Sequence, residues 1–232
     1  MHHQPFPTMD HPYFRFPRRR QRRREWQVIG LLALVILLLG ALTIGSSMYA
    51  LGLLIFVPLQ LAAPFLDTPA GIRKGTLRYA APLCIIQPVK DKGVVLHGGT
   101  LFDYWYVLRP YPSFRLRKKR LLYDMVRGLR LEAERAQAED RLDQFVRGTS
   151  YFINLRTATR FGLQPVSRDW GQILILWFNA AQVTAAYTIM RGRLAWPPLH
   201  RVQTYTGTWN AIYKNRKMLE TLERRLSPVH IS

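Results

Sequence analysis

His97 and Asp103 are the residue types in this chain best suited to acid/base chemistry. An imidazole titrates near neutrality, and a carboxylate beside it can orient the ring or share its proton. Between them stand Gly98, Gly99 and Thr100: two residues that let a backbone bend, and a hydroxyl that could join the same site. The spacing sets a condition. In a regular strand, positions an even number apart share a face, but a fully extended chain would hold His97 and Asp103 about 20 Å apart. They cooperate only if Gly98-Gly99 folds the chain back, with a backbone or Arg partner expected for Asp103 near the bend. If the protein is an enzyme, His97, Thr100 and Asp103 are its candidate catalytic residues. The simpler reading is a glycine bulge followed by an aromatic core strand, with no catalytic residue.

Three local patterns resemble known families. The His97-Gly98-Gly99 tripeptide is similar to the oxyanion-hole loop of lipases, although the Gly-x-Ser-x-Gly elbow of that family is absent. His97 and Asp103 resemble the His-x4-Asp box of glycerolipid acyltransferases, with one residue too many between them. Asn154-Leu155-Arg156-Thr157-Ala158-Thr159-Arg160-Phe161-Gly162-Leu163 resembles the late strand–Asn–helix–Gly-Phe segment of acyl-CoA N-acetyltransferases. That superfamily holds the CoA pyrophosphate on the amides of a Gln/Arg-x-x-Gly-x-Gly/Ala loop, which this sequence lacks. There is no P-loop, dinucleotide fingerprint or zinc-ligand pairing either, and His2, His3 and His11 have no Cys or fixed spacing around them. No cofactor or metal is expected.

These residues lie downstream of a membrane-like segment. Residues 28–66 carry no charge; as one helix they would run to roughly 58 Å, against about 30 Å of bilayer hydrocarbon. The small, polar Gly45-Ser46-Ser47 divides them. The expectation is a transmembrane hairpin over 26–66, with helices at 28–44 and 48–65. The apolar run is too long for a signal peptide. Arg18, Arg19, Arg20, Arg22, Arg23 and Arg24 precede it, Arg73, Lys74 and Arg78 come after it, and the turn has no Lys or Arg. The positive-inside rule then gives a multi-pass protein of the inner membrane with both termini cytoplasmic.

The chain has 232 residues and a net charge of +20. Residues 1–25, at +5 and rich in Pro, read as a disordered basic tail. Residues 67–232, at +15, are enough for one cytoplasmic α+β domain. Such charge suits anionic headgroups of the bilayer or a membrane protein complex. Arg115, Arg117, Lys118, Lys119 and Arg120 crowd a helix start, where the dipole disfavours cations, so an anionic headgroup is expected to compensate. Nucleic acid is disfavoured because no aromatics interleave the basic run. The lone Cys84 excludes an internal disulfide.

Within the domain, residues 67–71 read as a break, and 77–89 and 94–108 as a strand hairpin about Asp91-Lys92-Gly93. A helix capped by Ser113 is expected over 114–146. Then come a strand at 149–153, a helix at 154–161 and a strand at 163–166. Residues 170–190 read as a buried strand-then-helix or an interfacial helix rather than a third span, and 208–226 as a final amphipathic helix. The fold class is therefore membrane-anchored α+β. The function expected first is a membrane-associated, non-enzymatic subunit or scaffold presenting a basic, aromatic-rich cytoplasmic domain to the inner leaflet or a partner complex; the alternative is a membrane-anchored acyl- or lipid-directed transferase.

Overall fold

The computed structural model describes residues 11–46, 54–89, 93–166 and 170–227. The uncharged run opens in helix α1, Arg18–Ser46, whose stretch Arg18–Ile44 is long and apolar enough to cross a membrane. Most of its large apolar side chains, Trp26, Leu31, Leu37 and Ile44 among them, are exposed rather than packed on the domain, and its place near the N-terminus is also that of a signal sequence. The expected turn overlaps this helix at Gly45 and Ser46; residues 47–53 lie outside those described. A second transmembrane helix is not shown. Helix α2, Phe56–Lys74, runs straight through the expected break at 67–71. Pro64 and Pro69 are accommodated within it, and Gly75, at φ +74°, closes it.

Residues 11–25 are not a disordered tail. Residues 11–16 form turns, His11 and Tyr13 are buried, and Arg18–Glu25 belong to α1. Residues 1–10 lie outside those described.

The domain is a mixed α+β structure about one six-stranded sheet of order β1-β2-β3-β4-β6-β5. Strands β1 (Arg78–Ala81), β2 (Cys84–Val89) and β3 (Gly93–Gly98) form an antiparallel meander. The chain then turns helical at Thr100 instead of continuing as a strand. Thr100 and Asp103 make a capping box that starts α3 (Leu101–Asp103), prolonged by a π-helical turn over Tyr104–Leu108. Helix α4 (Phe114–Ala138), capped by Ser113, completes the crossover to β4 (Phe145–Ser150), which is parallel to β3. Phe145 and Val146, expected at the end of a helix, are thus strand residues. Next come α5 (Leu155–Arg160), β5 (Gln164–Pro165), α6 (Trp170–Phe178), α7 (Ala180–Arg191) and β6 (Gln203–Thr208), the last inserted between β4 and β5. Thr208 ends that strand and caps α8 (Trp209–Lys214), and α9 (Arg216–Leu226) finishes the described chain.

Helices α4, α8 and α9 cover one face of the sheet, where Leu129, Trp209, Ile212 and Leu219 pack against Cys84, Ile86, Leu96 and Val146. A second cluster joins α3, α4 and α7 through Leu83, Tyr104, Leu108, Leu121 and Met190. Asp124 of α4 is fully buried beside Arg120, with Nε to Oδ2 at 2.9 Å. Burial pushes its carboxyl up to about 6, while the Arg120 guanidinium pulls the other way. The folded chain therefore holds this proton more tightly than the unfolded chain does. The resulting stabilisation, on the order of 3 kcal/mol, is complete below about pH 4 and is lost as pH rises through about 6. Urea midpoints of wild type and Asp124→Asn, measured from acid to neutral pH, should differ by that slope. A pH-independent difference would mean that the Asp124 carboxyl titrates alike in the folded and the unfolded chain.

Candidate functional site

Strands β3 and β4 pair through only three residue pairs, Val94–Val146, Val95–Arg147 and Leu96–Gly148. Beyond these, β3 stays paired with β2 as far as Gly98, and β4 stays paired with β6 as far as Ser150. The two parallel strands thus part at their C-terminal ends. That is where open sheets receive ligands, because neighbouring strands there send their chains in different directions.

A cavity of about 520 Å³ fills the gap. Its walls are the ends of β3 and β4, the N-terminal half of α4, and α2 facing α7. Leu96, Met125, Leu129, Leu163, Val183 and Ala186 make its inner surface largely apolar. His97, Thr100, Tyr151 and Gln182 supply polar groups, and the exposed Asp67 and Gln87 stand at the margin. The volume falls within the range usual for small-molecule sites.

His97 is half-buried on this wall, its Nε2 lying 2.8 Å from Gln87 Oε1. That oxygen can only accept, so Nε2 carries the hydrogen and Nδ1 keeps a lone pair. Burial lowers the imidazole below its usual range, so it is neutral at pH 7 and able to take a proton. Burial also raises the Tyr104 and Tyr151 hydroxyls, which remain hydrogen-bond donors.

Asp103 does not join His97. It is fully buried and turned away from the cavity. Its Oδ2 accepts from the Thr100 amide at 2.6 Å and from the Thr100 hydroxyl at 2.8 Å, and its Oδ1 accepts from the Tyr79 hydroxyl. The backbone partner expected of Asp103 is present; the Arg alternative is not used. His11 lies between the rings of Tyr79 and Phe102, with centroids at 5.0 and 5.4 Å. Its Nδ1 accepts from the Tyr13 amide at 3.3 Å, so Nε2 carries the hydrogen that faces Asp103 Oδ1 at 3.2 Å. Thr68 of α2 reaches the Thr100 hydroxyl at 3.2 Å. The cluster thus ties the N-terminal segment, α2, β1 and α3 together just behind the cavity wall. Gly99 belongs to the same packing: a Cβ there would lie 2.7 Å from Leu83 Cδ2 and 3.1 Å from Asp103 Cβ. Sequence reasoning missed His11 and Tyr79. The signal was the aromatic run Tyr13-Phe14-Phe16, since disordered tails are poor in aromatics.

The basic residues separate into two groups. Arg18, Arg19, Arg20, Arg22, Arg23, Arg115 and Lys118 are exposed, and Lys119 is partly so. Arg24 is engaged internally, stacking on Phe16 at 4.4 Å and bonding the Tyr106 hydroxyl at 3.1 Å. Arg117 binds the carbonyls of Tyr111 and Ile189, and Arg120 binds Asp124 and the Tyr111 hydroxyl. For these two the compensation expected from a headgroup comes from the protein itself, and Arg117 links α4 to α7.

After strand β4, Asn154 caps α5 through the Thr157 amide at 2.9 Å, and Gly162 at φ +84° leads into β5. Where β3 ends, the Thr100 amide is taken by the Asp103 carboxylate. Comparison of the chain with known protein families, curated proteins and solved structures finds no match.

Proposed function

We propose that this protein is a membrane-anchored acyl- or lipid-directed transferase whose ligand lies in the cleft between the parted strands β3 and β4. The observation that carries the reading is the cleft itself: an apolar cavity of about 520 Å³ at the C-terminal ends of the sheet's parallel pair, with a neutral imidazole on its wall. The apolar lining suits an acyl chain. His97 acts as general base toward an acceptor hydroxyl or amine, whose oxygen or nitrogen bonds the acyl carbon as the lipid's ester C–O bond breaks. It returns the proton to the departing lysolipid oxygen, while the Tyr104, Tyr151 and Gln182 groups offer donors to the carbonyl oxygen. Asp103 has no part in the chemistry; it braces the wall.

The anchor in this reading is a hairpin of α1 and the start of α2, whose Phe56, Val57 and Leu59 are exposed, with both termini cytoplasmic. The exposed arginines at the foot of α1 meet anionic headgroups, each contributing about 1 kcal/mol near a charged surface.

The test uses the full chain in phospholipid vesicles containing a fluorescent-acyl phospholipid, with small amines and alcohols as acceptors. His97→Gln should lower acyl transfer by roughly a hundredfold or more while leaving bound lipid unchanged in native mass spectrometry. Equal turnover by both proteins removes His97 as base. Lipid bound without any turnover favours the scaffold, a reading supported by the separation of His97 from Asp103.

A further inference from the structure

Helix α6 presents Leu174, Ile175, Trp177 and Phe178 to the outside, at 54 to 71% exposure. Four large apolar side chains on a nine-residue helix are more than a soluble surface tolerates in one place. They are not isolated. The carbonyl of Phe178 and the amide of Ala181, freed where α6 breaks into α7, are both bound by the Gln60 side chain of α2. That contact joins the end of α6 to α2, whose first turn carries the exposed Phe56, Val57 and Leu59 and on which α1 packs. The exposed apolar side chains of α6 and of the start of α2 thus stand about one junction, as an apolar collar.

The cavity begins where the collar ends. Asn179, the residue after exposed Phe178, lines it, and so do Ala63 and Pro64, one turn beyond Gln60. From there the lining runs inward through Val183 and Ala186 to Met125 and Leu129. The opposite end, where β3 meets α3, offers no seat for a pyrophosphate: the Thr100 amide is occupied and the Asp103 carboxylate lies behind it.

We infer that the acyl group reaching this cleft belongs to a bilayer lipid, which enters sideways between α2 and α7 over the α6 collar, and not to a CoA thioester arriving from water. The inference rests on the cleft as the ligand site. Its basis is that the cavity lining starts at Asn179 and Ala63, next to the exposed apolar residues of α6 and α2, together with the occupied amide at the start of α3.

The experiment uses the full chain in phosphatidylcholine–phosphatidylglycerol vesicles with a trace of phosphatidylcholine carrying a diazirine in one acyl chain. Photolysis should label Val183–Ala186 and Met125–Leu129 as well as α1. Leu174→Lys/Phe178→Lys, which alters only exposed side chains, should cut the labelling of α4 and α7 severalfold, with the unfolding temperature unchanged. The same diazirine chain on a water-soluble acyl-CoA serves as the second arm. Labelling of α4 and α7 by the thioester but not by the phospholipid overturns the lateral route and leaves the cleft standing. Labelling by neither removes both. Undiminished labelling of the lysine variant by phospholipid overturns the role of the collar.

Discussion

Asp103→Ala is expected to destabilise the domain by about 3–5 kcal/mol, because it strips a buried site of the one group its donors share. The carboxylate accepts from the Thr100 amide, the Thr100 hydroxyl and the Tyr79 hydroxyl, and it faces His11. Alanine satisfies none of them, and no solvent reaches the site, since Asp103 and His11 are both fully buried. Asp103→Asn should fall between, because one amide oxygen cannot serve both sides of the cluster. The loss also has a location. His11 and Tyr13 are held against Tyr79, Phe102 and Tyr106, so the segment before α1 should detach first and trypsin should cut among Arg15–Arg24 well before the rest unfolds. A variant within 1 kcal/mol of wild type, with Arg15–Arg24 still protected, would show that the cluster is dispensable.

Gly128→Val should also destabilise the domain, by somewhat less. Helix α4 crosses the sheet so closely at Gly128 that a Cβ would sit 2.6 Å from Cys84 Sγ, 2.7 Å from Cys84 Cβ and 3.3 Å from Ala80 Cβ. Two of those atoms are Cβ atoms, which cannot move without their backbone, so α4 must lift from β1 and β2. Lifting α4 also strains the Arg78–Glu132 ion pair and the contacts of Leu129 and Ala133. Overpacking of this kind costs about 1–3 kcal/mol, offset by only a few tenths because valine is a slightly better helix former than glycine. Gly128→Ala separates the terms: helix propensity alone would stabilise it by about 0.8–1 kcal/mol, so a net loss of stability in thermal or urea unfolding isolates the clash. A stabilised alanine variant would show that the crossing has slack.

The legible parts of the fold were those encoded within a few residues. Asn154, Gly162 and Ser113 marked their helix ends because capping is a local contest between side chain and backbone, and the β2–β3 pairing came from two apolar runs on either side of a turn. Thr100 and Asp103 carry an equally local signal, a capping box, but the aromatic run after it suited strand as well as helix, and strand was the wrong choice. Pro69 misled in the opposite sense, since a proline normally ends a helix and here α2 continues as far as Lys74. The cleft could not be read at all. It exists because β6 inserts between β4 and β5 while α7 lies over α2, contacts between residues far apart in sequence. His11 was illegible for the same reason: its partners lie some seventy and ninety positions further on.

The foot of α1 has a mechanical consequence. Tyr13 donates to Glu25 at 2.8 Å, Glu25 pairs with Arg73 at 2.7 Å, and Gln21 bonds back to the Phe16 carbonyl at 2.8 Å. The long helix is therefore a spar bolted to the domain at its base and not a tether on which the domain swings. Whatever α1 is embedded in, the cleft is carried at a fixed height and azimuth beside it. In the proposed reading, its search for a bilayer lipid is confined to one plane and one heading, and an acceptor must travel to it.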